Sequence, residues 1–316
     1  MSVNNSVNNN NRIIKKFNNF PNNLHLERTL PFLGTKDLNA IYENSICLLG
    51  FPFDGTTSFR PGARLGPKAM RDASIGIETY SPTFDIDLED HLIVDLGDIY
   101  FYPSRRDLME KHFFDIFDGV NLQKGNDKNN VKIITLGGEH SISFSPISLY
   151  LKNYSDLLII HLDAHTDLRD GYLHDPYSHA AVIRRVLDIL PATANLIQHG
   201  IRSGTREEFK FIREKKMLMN SLSLLLNYLD NVEKDRPIYL TLDLDYFDPA
   251  FMPGTGTPET AGENFNSLIE ILKILKNKNF VGADIVELSP MIDSTQNSSS
   301  FASLVLREVL SVIVDR

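Results

Sequence analysis

Asp163-Ala164-His165-Thr166-Asp167 follows directly on Asp156-Leu157-Leu158-Ile159-Ile160-His161-Leu162. The preceding run is short and apolar, as a strand buried on both faces is. A strand ending there delivers three ligand-type side chains to its C-terminal rim, where open α/β sheets bind their ligands. In extended backbone the alternation of Asp163, His165 and Asp167 puts all three on one side. Taken alone, the same five residues also read as a solvated acidic loop.

Working outward, the pattern recurs. Residues 131–136 form a buried strand candidate that ends in Gly137-Gly138-Glu139-His140-Ser141. The two glycines let the backbone turn sharply and approach a ligand closely, and His140 stands at the start of a helix over 141–151. Residues 237–242 end in Asp243-Leu244-Asp245, whose carboxylates share a face if the backbone stays extended. Residues 280–288 are the last strand candidate and carry Asp284 and Glu287. A strand over 45–51 runs into a loop, 52–67, with three Gly and three Pro, hence fixed turns.

Helical stretches separate the strands. One opens at Gly66-Pro67 and another covers 106–117. A third starts at Ser178-His179, with Ser178 as N-cap. Gly204-Thr205-Arg206-Glu207-Glu208 has the form of a cap and an acidic first turn, and 264–276 is a further helix. Phe301, Leu304, Val305, Val309, Val312 and Ile313 recur at helical spacing, so the C-terminus is expected to be an amphipathic helix. Strand alternating with helix implies a parallel sheet covered on both faces. No repeat or linker divides the chain, so residues 24–316 are expected to form one domain. Residues 1–23 are Asn-rich and read as a disordered or loosely docked tail. Residues 121–130 read as a polar surface loop.

The chain has 316 residues, 42% of them hydrophobic, enough for a large core. Lys plus Arg number 32 against 41 Asp plus Glu, a net −9. That balance argues against nucleic acid as a partner and suits a cationic small molecule. The single cysteine, Cys47, lies in an apolar run and excludes an intrachain disulfide, which fits a reducing, cytoplasmic setting. No apolar run reaches the ~18 residues of a membrane span.

The strand ends thus offer His140, then Asp163, His165 and Asp167, then Asp243 and Asp245, then Glu287. Four carboxylates crowded together repel unless cations join them. Two divalent ions offset four negative ligands, and oxygen-rich ligation with two imidazoles suits Mn²⁺, with Zn²⁺, Co²⁺ or Ni²⁺ as alternatives. Water shared by two such ions ionises near neutral pH and becomes a nucleophile.

The segments 137–141, 163–167, 178–180, 243–249 and 284–287, in that order, resemble the ureohydrolases, the arginase and agmatinase family. The resemblance runs from about residue 45 to the C-terminus. It implies a three-layer α/β/α fold around an eight-stranded parallel sheet and a dinuclear manganese centre. It implies that His140, Asp163, Asp167 and Asp243 bind one ion and Asp163, His165, Asp243 and Asp245 the other, with Asp163 and Asp243 bridging. Glu287 matches the carboxylate that holds the guanidinium, and His179 the histidine of proton transfer, while Asp167 hydrogen-bonds the nucleophile. His161 and His174 match no ligand position and are left as structural. Trimers or hexamers are implied as well.

Arginases carry Asn and Ser in the loop before the His179 position. Here that loop holds Arg169, Asp175 and Tyr177. Segments 53–64, 200–204 and 253–259 resemble the agmatinase branch, so the expected reaction is agmatine plus water to putrescine plus urea. Asn297-Ser298-Ser299-Ser300 departs from that branch, at a place that bears on packing or the pocket wall rather than on ligands. The alternatives are guanidinobutyrase or another guanidino-acid hydrolase, formimidoylglutamase, or a non-catalytic guanidine- or polyamine-binding protein. A substrate carboxylate would need a cation such as Arg169 or Arg202.

Overall fold

In a computed structural model, residues 26–314 are described apart from 38–39, 121, 123–129 and 193–194. Of the preceding segment, only the backbone of 6–7, 13–14 and 16–19 is described. The expectation for residues 1–23 therefore falls largely outside the described residues, as does that for the loop 121–130.

Eight strands run parallel: β1 (Ile46–Phe51), β2 (Ile93–Ile99), β3 (Lys132–Gly137), β4 (Leu158–Leu162), β5 (Leu196–His199), β6 (Leu218–Met219), β7 (Pro237–Asp243) and β8 (Asn279–Val286). Their order across the sheet is β6-β5-β4-β7-β8-β3-β1-β2. Two-residue segments, Leu26–Glu27 antiparallel and Lys36–Asp37 parallel, complete a ten-stranded sheet at the β2 edge.

Strand alternation sorts the apolar residues into two cores. Leu158, Ile160 and Leu162 of β4 and Ile238, Leu240 and Leu242 of β7 face one layer. It is built from α1 (Gly66–Ser74), α6 (Leu222–Asp230), α7 (Phe265–Leu275) and α8 (Asn297–Ile313). Ile159 and Tyr239, with Cys47 and Leu49, face the opposite layer. That layer is α2 (Arg106–Ile116), α3 (Phe144–Asn153), α4 (Val182–Ile189) and α5 (Arg206–Glu214). The fold is three-layer α/β/α, as expected.

Two helices differ from expectation. Helix α8 is not simply amphipathic: Ser303, Glu308 and Ser311 are buried along with its apolar residues. Ser303 Oγ donates to Met70 O, and Ser81 Oγ donates to Glu308, so this helix pairs its polar groups internally. Ser178 precedes a short 3₁₀ turn (His179–Ala181) but makes no side-chain cap. By contrast Thr205 and Glu208 form the full reciprocal capping box at the head of α5. Among the described residues, no helix is long and apolar enough to cross a membrane.

Candidate metal centre

The sheet order decides where the chemistry sits. Strands β4, β7, β8 and β3 are consecutive neighbours, and their C-terminal ends carry every ligand-type residue singled out above. Along β4 and β7 the face that shows Ile159 and Tyr239 turns polar toward the rim, with His161 and Asp163, then Thr241 and Asp243.

The convergence is not produced by extended backbone, however. Strand β4 stops at Leu162, and Asp167 lies in the left-handed region at φ 53°. Asp245 sits in a 3₁₀ turn, Leu244–Tyr246, where Asp243 caps it by accepting from Asp245 N at 2.8 Å. Glu287 follows the end of β8 with φ 70°. Two non-glycine residues held in this sparsely populated region at one rim are the kind of strain that functional sites retain.

His140 Nδ1 lies 3.0 Å from Asp163 Oδ2, 3.1 Å from Asp167 Oδ2 and 3.3 Å from Asp243 Oδ2. It is buried and has no hydrogen-bond partner. His165 Nδ1 lies 2.9 Å from Asp245 Oδ2 and 3.5 Å from Asp163 Oδ1. Asp163 therefore turns one oxygen to each histidine. Asp163, Asp243 and Asp245 are all essentially buried.

Burial, reinforced by Asp245 and Asp163, pushes the Asp243 carboxyl well above its ordinary range. Burial raises Asp245 too, against the pull of His165. For Asp163 burial is outweighed by His161 and His140, which hold it well below. Desolvation would depress His165, but Asp245 and Asp163 push it up to about 12. A donor set of buried oxygens and imidazoles that strain against one another in this way fits divalent cations.

His161 is close enough to be taken for a ligand, but its bonding says otherwise. Its Nδ1 faces the Gln198 amide at 2.8 Å and its Nε2 lies 2.7 Å from Asp163 Oδ2. With Gln198 Nε2 donating to Nδ1, the ring proton sits on Nε2 and is donated to Asp163. His161 thus orients a carboxylate. His174 is exposed.

His140 is oriented from behind in the same fashion. Its Nε2 lies 2.9 Å from Thr241 Oγ1, which donates to Asp284 Oδ1 at 2.7 Å; Ser143 and Tyr239 hydroxyls also donate to Asp284. Sequence reasoning missed Thr241. Its signal was position: two residues before Asp243 on a strand, hence on the same face.

The glycines before His140 serve a purpose other than the expected one. A Cβ on Gly138 would stand 1.8 Å from Phe53 O. The close approach is to backbone at the end of β1, and Glu139 N donates to Phe53 O at 2.7 Å.

Of the ligand candidates, His140, His165, Asp167 and Asp243 line a cavity of about 270 Å³ with Ser58, Arg169, Tyr172, His179 and Thr257; Asp163 and Asp245 are not part of its wall. Glu287 forms part of its wall, accepts from His140 N at 2.8 Å, and is pushed up to about 8 by burial and by Glu139. Of the three loop residues noted in the sequence, Arg169 lines the cavity, with its guanidinium over the Tyr172 ring at 4.5 Å; Asp175 and Tyr177 do not line it. Arg202 cannot meet a substrate carboxylate. Its guanidinium donates to the carbonyls of Gly200, Tyr246, Asp245, Glu259 and Thr260, tying the 253–260 loop to the β7 end. The Asn297–Ser300 departure also acts on that loop: Ser298 Oγ accepts from Gly254 N and donates to Asp293.

Residues 44–311 match the family model described as Arginase family. The chain belongs to the arginase family. It is 38% identical over 276 residues to an agmatinase from Bacillus cereus, covering 85% of this chain and 91% of that one. It is 31% identical over 281 residues to the mitochondrial guanidino acid hydrolase of Homo sapiens, covering 84% and 77%. A crystal structure from Clostridium difficile, 41% identical, superposes with a TM-score of 0.79 over 86% of this chain and 98% of that one. Membership of the arginase family makes the chain a ureohydrolase; enzymes of this family use a binuclear metal centre, and the His/Asp cluster is suited to hold one.

Proposed function

We propose that this ureohydrolase cleaves agmatine to putrescine and urea. In this assignment His140, Asp163, Asp167 and Asp243 would hold one cation and Asp163, His165, Asp243 and Asp245 would hold the other. The observation that carries it is the partnerless His140 Nδ1 ringed by three carboxylate oxygens, beside a buried Glu287.

Bound there, two divalent cations supply Lewis acidity and lower the pKa of water toward neutrality. Manganese is the first choice for this donor set, ahead of zinc, cobalt or nickel. Glu287 binds the guanidinium: a carboxylate that burial disfavours regains its charged form beside a planar cation. Asp167 orients the attacking water, and His179 passes a proton to the departing amine.

The choice of agmatine draws support from the 38% identity to an agmatinase, against 31% to a guanidino acid hydrolase. The commitment of Arg202 to carbonyls removes one of the two cations considered for a substrate carboxylate and leaves Arg169 on the cavity wall as the other. We place the enzyme in the cytoplasm as a homotrimer or homohexamer, the first on its single buried cysteine and the second on family resemblance alone.

Urea release from agmatine, arginine and 4-guanidinobutyrate, with Mn²⁺ supplied, tests the assignment. Agmatine is expected to be preferred in kcat/KM. Preference for 4-guanidinobutyrate overturns the substrate. Absence of both urea release and bound divalent metal favours a binding protein instead.

A further inference from the structure

One buried acidic side chain beside the site is neither a proposed ligand nor a proposed substrate anchor. Glu139 is fully buried beside His140, yet its hydrogen bonds go to Thr56, Thr57 and Ser141 rather than to the ligand candidates. Its contacts are all with donors. Thr56 N reaches Oε2 at 2.8 Å, Thr56 Oγ1 reaches Oε1 at 2.5 Å, Thr57 Oγ1 reaches Oε2 at 3.3 Å and Ser141 Oγ reaches Oε1 at 2.5 Å. Thr56 in turn touches His179 twice. Its Oγ1 accepts from His179 N at 3.0 Å and lies 3.2 Å from His179 Nδ1.

A hydroxyl has one proton and two lone pairs. Glu139 takes the proton across the shortest of the three Thr56 Oγ1 contacts. One lone pair is filled by the His179 amide. The other can only accept, so His179 Nδ1 must be the donor. That places the ring proton on Nδ1 and leaves the Nε2 lone pair free, beside Ser58 Oγ at 3.3 Å on the cavity wall. Which ring nitrogen carries the proton is set by the bond the other makes.

We infer that Glu139 and Thr56 are positioning residues that fix the tautomer of His179, so that Nε2 is the nitrogen that exchanges protons with the cavity. The inference rests on the proton-transfer role proposed for His179. It assigns a purpose to Glu139 within Gly137-Gly138-Glu139-His140-Ser141 distinct from ligation, and to a threonine on the loop that follows β1.

Steady-state kinetics of the metal-loaded enzyme on agmatine test it as a double-mutant cycle. General acid–base groups contribute about 10²–10⁴-fold, and misplacing the proton forfeits part of that. Thr56→Val is expected to lower kcat about tenfold with KM within about twofold, and Thr56→Ser to recover most of the loss. In a His179→Ala background Thr56→Val should cost nothing further. If its cost persists there, or if Ser is as poor as Val, Thr56 acts through loop packing and the inference alone is overturned. If His179→Ala keeps wild-type kcat, the proton-transfer role fails and the inference fails with it.

Discussion

The molecule buries acid in two places and treats it in opposite ways. At the β2 end, Asp95 and Asp98 close around Arg71, whose side chain is fully buried. Arg71 Nε and Nη2 each reach Asp95 at 2.8 Å, Nη1 reaches Asp98 at 2.5 Å, and Nη2 also donates to Gly97 O. Asp95 accepts in addition from Phe32 N and Gly97 N. Desolvation opposes the Arg71 charge, but Asp98 and Asp95 raise its pKa regardless. At the centre of the sheet, Asp163, Asp243 and Asp245 face imidazoles and accept from the backbone amides of His165, Asp245 and Ala164, with no Lys or Arg among their described partners. The first cluster brings its own side-chain cation, although burial still holds the Asp98 carboxyl above its ordinary range against the pull of Arg71. Among the described residues the second has no side-chain cation beyond its imidazoles, which suits it to cations from outside the chain. A buried carboxylate is therefore informative chiefly through what neutralises it.

That contrast can be broken from either side. Asp243→Asn is expected to lower urea release by about 10³-fold or more, since it removes the ligand proposed to be shared by both ions. The unfolding midpoint of the metal-free protein should hold or rise, because one of three mutually repelling carboxylates is gone. A clear loss of metal-free stability would place Asp243 in the structural class with Asp95. Arg71→Met should do the reverse. Stranding two buried carboxylates costs about 3–5 kcal/mol of stability, read as a lowered denaturant midpoint, while kcat of the folded fraction stays near wild type. A stable, inactive Arg71→Met would tie the two clusters together and end the comparison.

A subtler substitution separates ligand from support. Thr241→Val keeps the shape of the side chain but removes the bond behind His140. Partners of this kind typically govern metal affinity by about 10–100-fold. Competition with a chelator should show that weakening, and saturating metal should restore activity. Unchanged affinity would mean that Asp284 and its neighbours serve only the core.

Much of this was legible in the chain before the fold was known. The apolar runs of β3, β4 and β7 announced parallel strands, and each ended in ligand-type residues. What could not be read was adjacency. The order β4-β7-β8-β3 is a non-local property, set by how the crossover helices pack, and it is what turns four separate strand ends into one site. Local geometry was also misjudged where turns took over from strands. Asp167 and Glu287 reach the site through left-handed residues, which no spacing rule anticipates for Asp and Glu. Arg202 looked like a free cation because its five carbonyl partners lie on backbone, and backbone leaves no mark in residue identity. Thr241 alone was recoverable, by extending the alternation of β7 back from Asp243.

The smallest expected effect lies at the departure in α8. Burial would raise the Asp293 carboxyl, but hydrogen bonds from Ser298 and Thr295 outweigh it and hold the group at about 2. A carboxyl whose folded pKa lies below its unfolded value contributes stability in full above the unfolded pKa. That contribution fades as pH falls through the folded one. Its share is thus present at neutral pH and disappears between roughly pH 4 and pH 2. Ser298→Ala removes one of the donors and leaves Gly254 N without its acceptor, at a cost of about 1 kcal/mol at pH 7. The difference between wild type and variant should narrow as pH is lowered through that window, because a protonated Asp293 gains little from Ser298 in either. A pH-independent difference would assign the whole cost to Gly254 and the pocket loop, and KM should then rise along with it.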